Sequence, residues 1–290
     1  MDKIMILGAN GMLGSSILRY FSKRDKYDVI GTVRSQIACE SLKKIGFKNV
    51  LENIDINNDS LLISMFKDFK PDYVFNCIGI IKQQNQAQET LPVIKINSLL
   101  PHRIAKLCKD NNSKLIHFST DCVFSGKKGM YVESDIPDAN DLYGRSKFLG
   151  EVNYDNHLTL RTSIIGHELK SSLSLVDWFL SQNHKINGYS SAIFSGMPTI
   201  YLAKFLDEFV IPNHEISGTY HLSVDPIDKF SLLTLIKKVY SSSIPIDKCQ
   251  NIKIDRSLNS DKLRKAVGFQ PPGWPYLIEK MNNEYKQYFN

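Results

Sequence analysis

The chain has 290 residues, of which 42% are hydrophobic, and it carries a formal net charge of +6. This length allows one large or two small domains with a proper core, and the absence of a run of about 18 apolar residues excludes a transmembrane helix. The basic residues are not gathered into one block, which argues against a nucleic-acid surface but suits an anionic substrate. The apolar segment at Ile4 lacks the features of a signal peptide, so we expect a cytoplasmic protein without a membrane partner.

The five cysteines are scattered along the chain and include no CxxC pair. This spacing predicts neither a disulfide framework nor a zinc site, and we expect no bound metal. The cysteines, Cys122 among them, are interpreted as small buried hydrophobic residues.

The amino-terminal segment predicts a dinucleotide-binding turn. A short strand, Lys3–Leu7, runs into three glycines with the spacing G-x-x-G-x-x-G, and an amphipathic helix begins at Met12 or Leu13. Glycines so placed allow a tight turn, a close approach of the backbone to a pyrophosphate, and close packing of helix on strand. The amino end of the helix then points its free N–H groups at the phosphates. The residues expected to contact the cofactor are Gly8, Asn10, Gly11, Met12 and Leu13.

The second predicted strand, Asp28–Arg34, ends in an arginine where NAD-binding proteins usually present an acidic residue to the ribose. Arg34 is placed to meet a 2′-phosphate, which favours NADPH over NADH, although NADH is possible if Arg34 is a solvated surface residue. A third strand is predicted to end at Glu52–Ile56.

The next segment predicts a buried strand, Pro71–Gly79, followed by a polar loop and a long helix, Leu91–Asn111. Lys82 lies in the loop and faces either the phosphates of a substrate or solvent. Asn97 falls in the middle of the helix, where an asparagine is usually exposed and mildly unfavourable.

The chemistry is predicted between Ser119 and Lys147. A buried strand, Lys114–Phe118, places Ser119, Thr120 and Asp121 at its carboxyl end, where open α/β sheets bind ligands. A helix that begins at Asp141 carries Tyr143 and Lys147 four residues apart, on one face. A free tyrosine has a pKa of about 10, and a neighbouring ammonium lowers it toward the working range of a general acid.

The rest of the chain completes the predicted α/β fold, a Rossmann-type doubly wound parallel sheet with a smaller carboxy-terminal substrate domain. Residues 1–165 form the predicted dinucleotide-binding domain, and residues 166–290 form mainly the substrate domain, with some segments returning to the first. The predicted elements are a sixth strand at Leu158–Ser163, a helix at Ser172–Gln182, a turn at Asn187–Gly188, a helix at Ile200–Val210, a strand at Gly218–Ser223 and a helix at Lys229–Tyr240.

Five motifs carry a family resemblance: GANGMLG at Gly8–Gly14, STDCVFSG at Ser119–Gly126, YGRSK at Tyr143–Lys147, RTS at Arg161–Ser163 and GMPT at Gly196–Thr199. Together they resemble the extended short-chain dehydrogenase/reductases. Within these the chain is most similar to the branch of dTDP-4-dehydrorhamnose reductase, whose members reduce nucleotide-linked 4-keto sugars for surface polysaccharides.

The resemblance implies hydride transfer from NADPH to a sugar ketone. Tyr143 would donate the proton, Lys147 would lower its pKa and bind the nicotinamide ribose, and Thr120 would bind the carbonyl oxygen. Asn97 would help to hold the lysine and a water molecule. Further cofactor contacts implied are Asp55, Ile56, Asn76, Cys77, Ile78, Gly79 and Ser119, and the implied substrate contacts are Lys82, Thr120, Asp121, Val123 and Met197.

Several alternatives stay open. The substrate is dTDP-4-dehydrorhamnose or a UDP-2-acetamido-2,6-dideoxy-4-hexulose, because Cys122 stands where rhamnose-type enzymes usually carry a tyrosine. An epimerase or dehydratase uses the same Tyr/Lys pair, but the dehydratase pattern T-D-E is absent after Thr120. A regulatory subunit of methionine adenosyltransferase keeps the fold without this reaction, and the complete Thr120, Tyr143 and Lys147 set argues against that reading. A homodimer is a possible assembly.

Overall fold

The computed structural model describes residues 1–83 and 85–289. Its strands, in chain order, are β1 (Asp2–Leu7), β2 (Tyr27–Thr32), β3 (Val50–Leu51), β4 (Tyr73–Asn76), β5 (Lys114–Thr120), β6 (Leu158–Thr162), β7 (Ile164–Ile165), β8 (Ile186–Tyr189), β9 (Ala192–Phe194), β10 (Met197–Pro198), β11 (Gly218–His221), β12 (Ile227–Asp228), β13 (Ile246–Cys249) and β14 (Ile254–Asp255).

The α-helices are α1 (Met12–Phe21), α2 (Gln36–Lys44), α3 (Asp59–Phe69), α4 (Thr90–Val93), α5 (Leu100–Asp110), α6 (Leu142–Leu149), α7 (Leu175–Leu180), α8 (Thr199–Phe205), α9 (Lys229–Val239), α10 (Asp261–Val267) and α11 (Trp274–Tyr288). Two π-helical segments, Ile94–Leu99 and Leu206–Val210, continue α4 and α8. Short 3-10 helices lie at Asn85–Gln88 and Asp121–Val123. No helix in the described ranges is long and apolar enough to cross a bilayer.

The central sheet has seven parallel strands in the order β11-β6-β5-β4-β1-β2-β3. Side chains of β1 alternate between its two faces: Ile4 and Ile6 join one apolar cluster, whereas Met5 and Leu7 join another. Because helices cover both faces, the strands read as continuous apolar runs in the sequence. The predicted α/β Rossmann-type fold is confirmed.

Three local predictions were wrong. The third strand is only Val50–Leu51 and does not include the predicted end, Glu52–Ile56. Asn53, with φ 58°, turns the chain away from the strand direction. Asn187 and Gly188 lie inside β8, where pairing with β13 overrides the turn preference of the dipeptide.

The helix predicted at Ser172–Gln182 is shorter, because it begins after Ser174, whose side chain caps it by accepting a hydrogen bond from the Asp177 N–H. The sheet continues beyond its sixth strand, β6. A seventh, β11, returns from the carboxy-terminal part of the chain and pairs with β6.

Candidate active site

The glycine turn has the geometry that a bound dinucleotide needs. Gly8 has φ +80°, and a Cβ atom there would lie 2.8 Å from the Ile78 side chain. A Cβ atom at Gly14 would lie 2.2 Å from the Gly8 carbonyl oxygen, so glycine lets α1 pack directly on the turn. Gly11 precedes α1 as its N-cap and makes no side-chain bond to the first helical N–H groups. These groups stay available for phosphate oxygens.

The predicted contacts of this turn lie together at the carboxyl end of β1. Asn10 and Gly11 are exposed, Met12 is half-buried, and Leu13 is buried in the first turn of α1. The exposed backbone of this cradle fits a pyrophosphate.

Arg34 and Asp55 lie near each other beyond the ends of β2 and β3. Arg34 is exposed, and Asp55 accepts hydrogen bonds from the Asn57 backbone and side chain, both at 2.9 Å. These bonds hold the pKa of the Asp55 carboxyl below its usual value, and the charges of Arg34 and Arg103 act in the same direction. Arg34 is therefore exposed beside Asp55, while neighbouring Ile56 packs half-buried against the core.

The end of β4 passes beside the glycine turn. The Cys77 N–H donates to the Leu7 carbonyl at 3.0 Å, and the Asn76 side-chain oxygen accepts the Ile78 N–H at 3.2 Å. Gly79 follows, half-buried, with the Asn97 side-chain oxygen 3.6 Å from the place of a Cβ atom. The predicted residues of this segment, 76–79, thus lie between the glycine turn and the Asn97 side chain.

Asn97 is buried, and its amide is used within the protein. Its side-chain oxygen accepts the Ile80 N–H at 2.9 Å, and its nitrogen donates to the Ile80 carbonyl at 3.0 Å and to the Ser146 hydroxyl at 3.2 Å. The amide therefore joins the β4 loop to α6, one residue before Lys147, and does not contact the lysine itself.

Lys147 is buried at the carboxyl end of β5. Its Nζ donates to the Phe118 carbonyl at 2.7 Å and lies 3.4 Å from His117 Nε2. Burial lowers the pKa of this ammonium to about 8, although Glu151 and Cys77 act to raise it. The ammonium therefore loses its proton at a lower pH than a free lysine does.

Tyr143 is half-buried on the same helix, beside Thr120 and Cys122. Burial raises the pKa of the phenol, the Cys122 thiol acts in the same direction, and the neighbouring Thr120 hydroxyl opposes them. The expected lowering of this pKa by Lys147 stays a prediction. The ammonium is directed to the Phe118 carbonyl, and burial is the largest influence on the phenol.

The hydroxyl groups of Thr120 and Ser119 form hydrogen bonds with different residues. Thr120 Oγ1 accepts the Cys122 N–H and donates to Asp121, both at 3.1 Å, so it starts the 3-10 helix that follows β5. The buried Ser119 hydroxyl donates to Glu151 at 2.6 Å, away from Tyr143. Glu151 also forms a buried ion pair with Arg161 at 2.7 Å. Thr120 is therefore the hydroxyl that the fold brings to the phenol.

Three cations, here called the cationic rim, surround this site: Lys82, Lys229 and Arg256. Lys82 pairs with Asp141 at 2.9 Å and lies 5.5 Å from the centre of the Tyr143 ring. Asp141, the N-cap of α6, also accepts the Gly144 N–H at 2.9 Å. The loop therefore brings Lys82 to the site even though its side chain is exposed.

Lys229 and Arg256 were missed in the sequence. Arg256 donates to the Phe124 carbonyl at 2.9 Å, and its charge acts on Asp121, Cys122 and Asp141. Half-buried Lys229 lies 5.4 Å from the Phe194 ring centre, and Asp121 is the carboxylate that acts on it most. Both residues follow short strands of the carboxy-terminal part, in segments without a motif.

The remaining predicted substrate contacts, Asp121, Val123 and Met197, are all buried. Asp121 is buried, and burial raises the pKa of its carboxyl against the opposing charges of Arg256 and Lys229. Val123 and Met197 are fully buried in apolar clusters, so the structure brings neither predicted substrate side chain to the surface of the site. Within residues 1–83 and 85–289, no group of three His, Cys, Asp or Glu side chains is arranged to hold a metal ion.

Comparison with known proteins places these features in a family. A model described as the RmlD substrate binding domain matches residues 1–287. The dTDP-4-dehydrorhamnose reductase of Aggregatibacter actinomycetemcomitans is 23% identical over 308 residues, covering 97% of this chain and 98% of that protein. Methionine adenosyltransferase 2 subunit beta of Xenopus laevis is 27% identical over 317 residues, covering 96% and 89%.

A crystal structure of dTDP-4-dehydrorhamnose reductase from Bacillus anthracis in complex with NADP superposes with a TM-score of 0.80 at 21% identity. The alignment covers 98% of this chain and 99% of that one, and it confirms the fold. Because the family model spans nearly the whole chain, and because the sequence motifs indicated the same branch, the chain belongs to the RmlD substrate binding domain family.

Proposed function

We propose that this protein is an NADPH-dependent reductase of a nucleotide-linked 4-keto-6-deoxy sugar. The observation that carries the proposal is the convergence of Thr120, Tyr143 and Lys147 at the carboxyl end of the sheet, beside a glycine turn that fits a dinucleotide. The NADP in the Bacillus anthracis reductase supports the choice of cofactor. Arg34, at the end of β2, is the residue that would bind the 2′-phosphate.

The reduced nicotinamide supplies the hydride when it is bound, and the chain supplies orientation and the proton. Thr120 would direct the carbonyl oxygen, because its hydroxyl is next to the phenol. Tyr143 starts the reaction protonated, since burial raises its pKa. An alkoxide is a much stronger base than a phenolate, so proton transfer from Tyr143 to the reduced product is favourable.

Lys147 would hold the nicotinamide ribose through its ammonium, of which one hydrogen bond is already fixed by the Phe118 carbonyl. Binding a ribose there requires the charged form. Because burial lowers the pKa of this group to about 8, the charged form is lost above that value.

The cationic rim supports an anionic substrate. Lys229 makes no ion pair within 4.0 Å among the residues that the structure describes, so no carboxylate neutralises its ammonium at contact distance, and burial lowers its pKa. A diphosphate next to Lys82, Lys229 and Arg256 would neutralise these charges and place the attached sugar toward Tyr143. Residues 166–290 would thus provide much of the substrate side of the cleft.

Turnover measures the proposed reaction directly. Purified protein with NADPH is offered dTDP- and UDP-linked 4-keto-6-deoxy sugars, including dTDP-4-dehydrorhamnose and a UDP-2-acetamido-2,6-dideoxy-4-hexulose, and product configuration is determined by NMR. Tyr143→Phe is the control, and we expect reduction to fall by about 10²- to 10⁴-fold while NADPH binding persists. Turnover within a few-fold of wild type would remove Tyr143 as the proton donor.

A second function is favoured by one observation, the 27% identity to methionine adenosyltransferase 2 subunit beta across 96% of the chain. A regulatory subunit would bind the dinucleotide without oxidising it. Bound NADPH that stays reduced with every 4-keto sugar of the panel would support this alternative. Oxidation that requires both the sugar and Tyr143 would exclude it.

A further inference from the structure

A histidine of β5 lies directly behind the candidate catalytic lysine. His117 is fully buried between Asn76 on β4 and Lys147 on α6. Its Nδ1 is 3.2 Å from the Asn76 side-chain nitrogen, and its Nε2 is 3.4 Å from Lys147 Nζ. The ring therefore connects the loop beyond β4 to the lysine.

The backbone fixes the orientation of the Asn76 amide. The Ile78 N–H can only donate, and it points at the Asn76 side-chain oxygen at 3.2 Å. The amide nitrogen must then face His117 and donate to Nδ1, which acts as the acceptor. Burial, together with the Lys147 and His102 charges, holds the pKa of His117 well below its usual value. A neutral ring that accepts at Nδ1 carries its proton on Nε2.

We propose that His117 is a positioning residue for Lys147, presenting an N–H rather than a lone pair to the lysine nitrogen. An ammonium cannot donate toward that N–H, so its hydrogens are directed to the Phe118 carbonyl and outward, to where a ribose would bind. The neutral amine, in contrast, accepts a hydrogen bond from Nε2–H. His117 thus favours loss of the lysine proton.

Two other side chains act on the same nitrogen. Glu151, two residues beyond the end of α6, and Cys77 after β4 favour the ammonium, whereas burial opposes it. Asn97, the residue expected to help hold the lysine, forms its side-chain hydrogen bonds with Ile80 and Ser146. His117 is therefore the side chain that opposes the charge from within hydrogen-bond range of Nζ. The catalytic consequence depends on the proposed function, but the tautomer does not.

The tautomer is tested first, on ligand-free wild-type protein. Long-range ¹H–¹⁵N NMR spectra of the histidine rings report which nitrogen carries the proton, and His117→Gln assigns the signals. We expect a neutral ring protonated at Nε2 across neutral pH. Asn76→Asp replaces the donor with an acceptor, so the proton should move to Nδ1. A wild-type ring protonated at Nδ1, or at both nitrogens, overturns the proposal even if reductase activity is found.

The effect on Lys147 is measured through NADPH binding as a function of pH. In His117→Gln an amide oxygen can face Nζ and accept from the ammonium, so the loss of NADPH affinity at high pH should move upward by about one unit. His157→Gln is the matched control. His157 is also buried, but it bonds the Leu115 N–H and the Ala105 carbonyl, away from Lys147.

Circular dichroism shows whether each variant is folded. A folded His117→Gln protein whose binding profile matches that of His157→Gln would reduce His117 to a packing residue and refute the proposal. Absence of turnover with every sugar would refute the proposed function while leaving both readouts of His117 intact.

Discussion

Replacing Gly14 with alanine tests whether α1 needs a glycine at this position to pack closely on the glycine turn. The new Cβ atom would lie 2.2 Å from the Gly8 carbonyl oxygen, whereas real Cβ atoms essentially never approach closer than 3.0 Å. The helix must therefore move by at least 3.0 − 2.2 = 0.8 Å from backbone that cannot rotate away. Overpacking of this kind typically costs about 1–3 kcal/mol. For Gly14→Ala to destabilise the protein, this overpacking cost must exceed the gain of about 1 kcal/mol that alanine normally brings to a helix interior.

Gly11→Ala is the matched control. Its Cβ atom would meet the same oxygen at 3.5 Å, an ordinary contact, although alanine is a poorer N-cap than glycine. With the alanine gain subtracted from the overpacking cost, urea unfolding followed by circular dichroism should show Gly14→Ala losing up to about 2 kcal/mol and Gly11→Ala less than about 1 kcal/mol. NADPH titration should show weaker binding by Gly14→Ala, because the turn is displaced. Equal stability of Gly14→Ala and wild type would show that α1 does not depend on this close approach.

Four further outcomes are expected. Arg34→Ala should raise the KM for NADPH much more than that for NADH, and equal changes would make Arg34 a surface residue. Wild-type affinity for NADPH should fall as the pH rises through about 8, where Lys147 loses its charge. In a direct titration Lys147→Met should bind more weakly by about 1.5–3 kcal/mol and lack that pH dependence. Arg161→Met should destabilise the fold by about 3–5 kcal/mol in urea unfolding, because it leaves the buried Glu151 carboxylate without its partner, and a near-neutral effect would contradict this.

Local patterns predicted the parts of the site that depend on a single segment. The three glycines stand between a strand and a helix, so their roles follow from the chain itself, and Tyr143 and Lys147 share a helix face by spacing alone. Lys229 and Arg256 have no such signal. They reach the site through short strand pairings of the carboxy-terminal part, which join positions far apart in the sequence.

The wrong predictions have tertiary causes. Asn187–Gly188 is a common turn dipeptide, yet a Cβ atom at Gly188 would lie 3.0 Å from the backbone of Phe230, so glycine serves close packing inside a strand. The pKa of Tyr143 likewise depends on its surroundings, because burial is the largest influence on the phenol.

The seventh strand determines when, during synthesis of the chain, the central sheet can be completed. β11 pairs with β6 over Leu158–Arg161, so the sheet that carries the cofactor turn stays unfinished until residue 221 has left the ribosome. Until then β6 is an open edge, available to a second nascent chain. A chain cut at residue 165 would keep every motif of the glycine turn and the catalytic helix, but it would expose this edge permanently. Cells that stall translation between β6 and β11 would therefore hold an aggregation-prone intermediate.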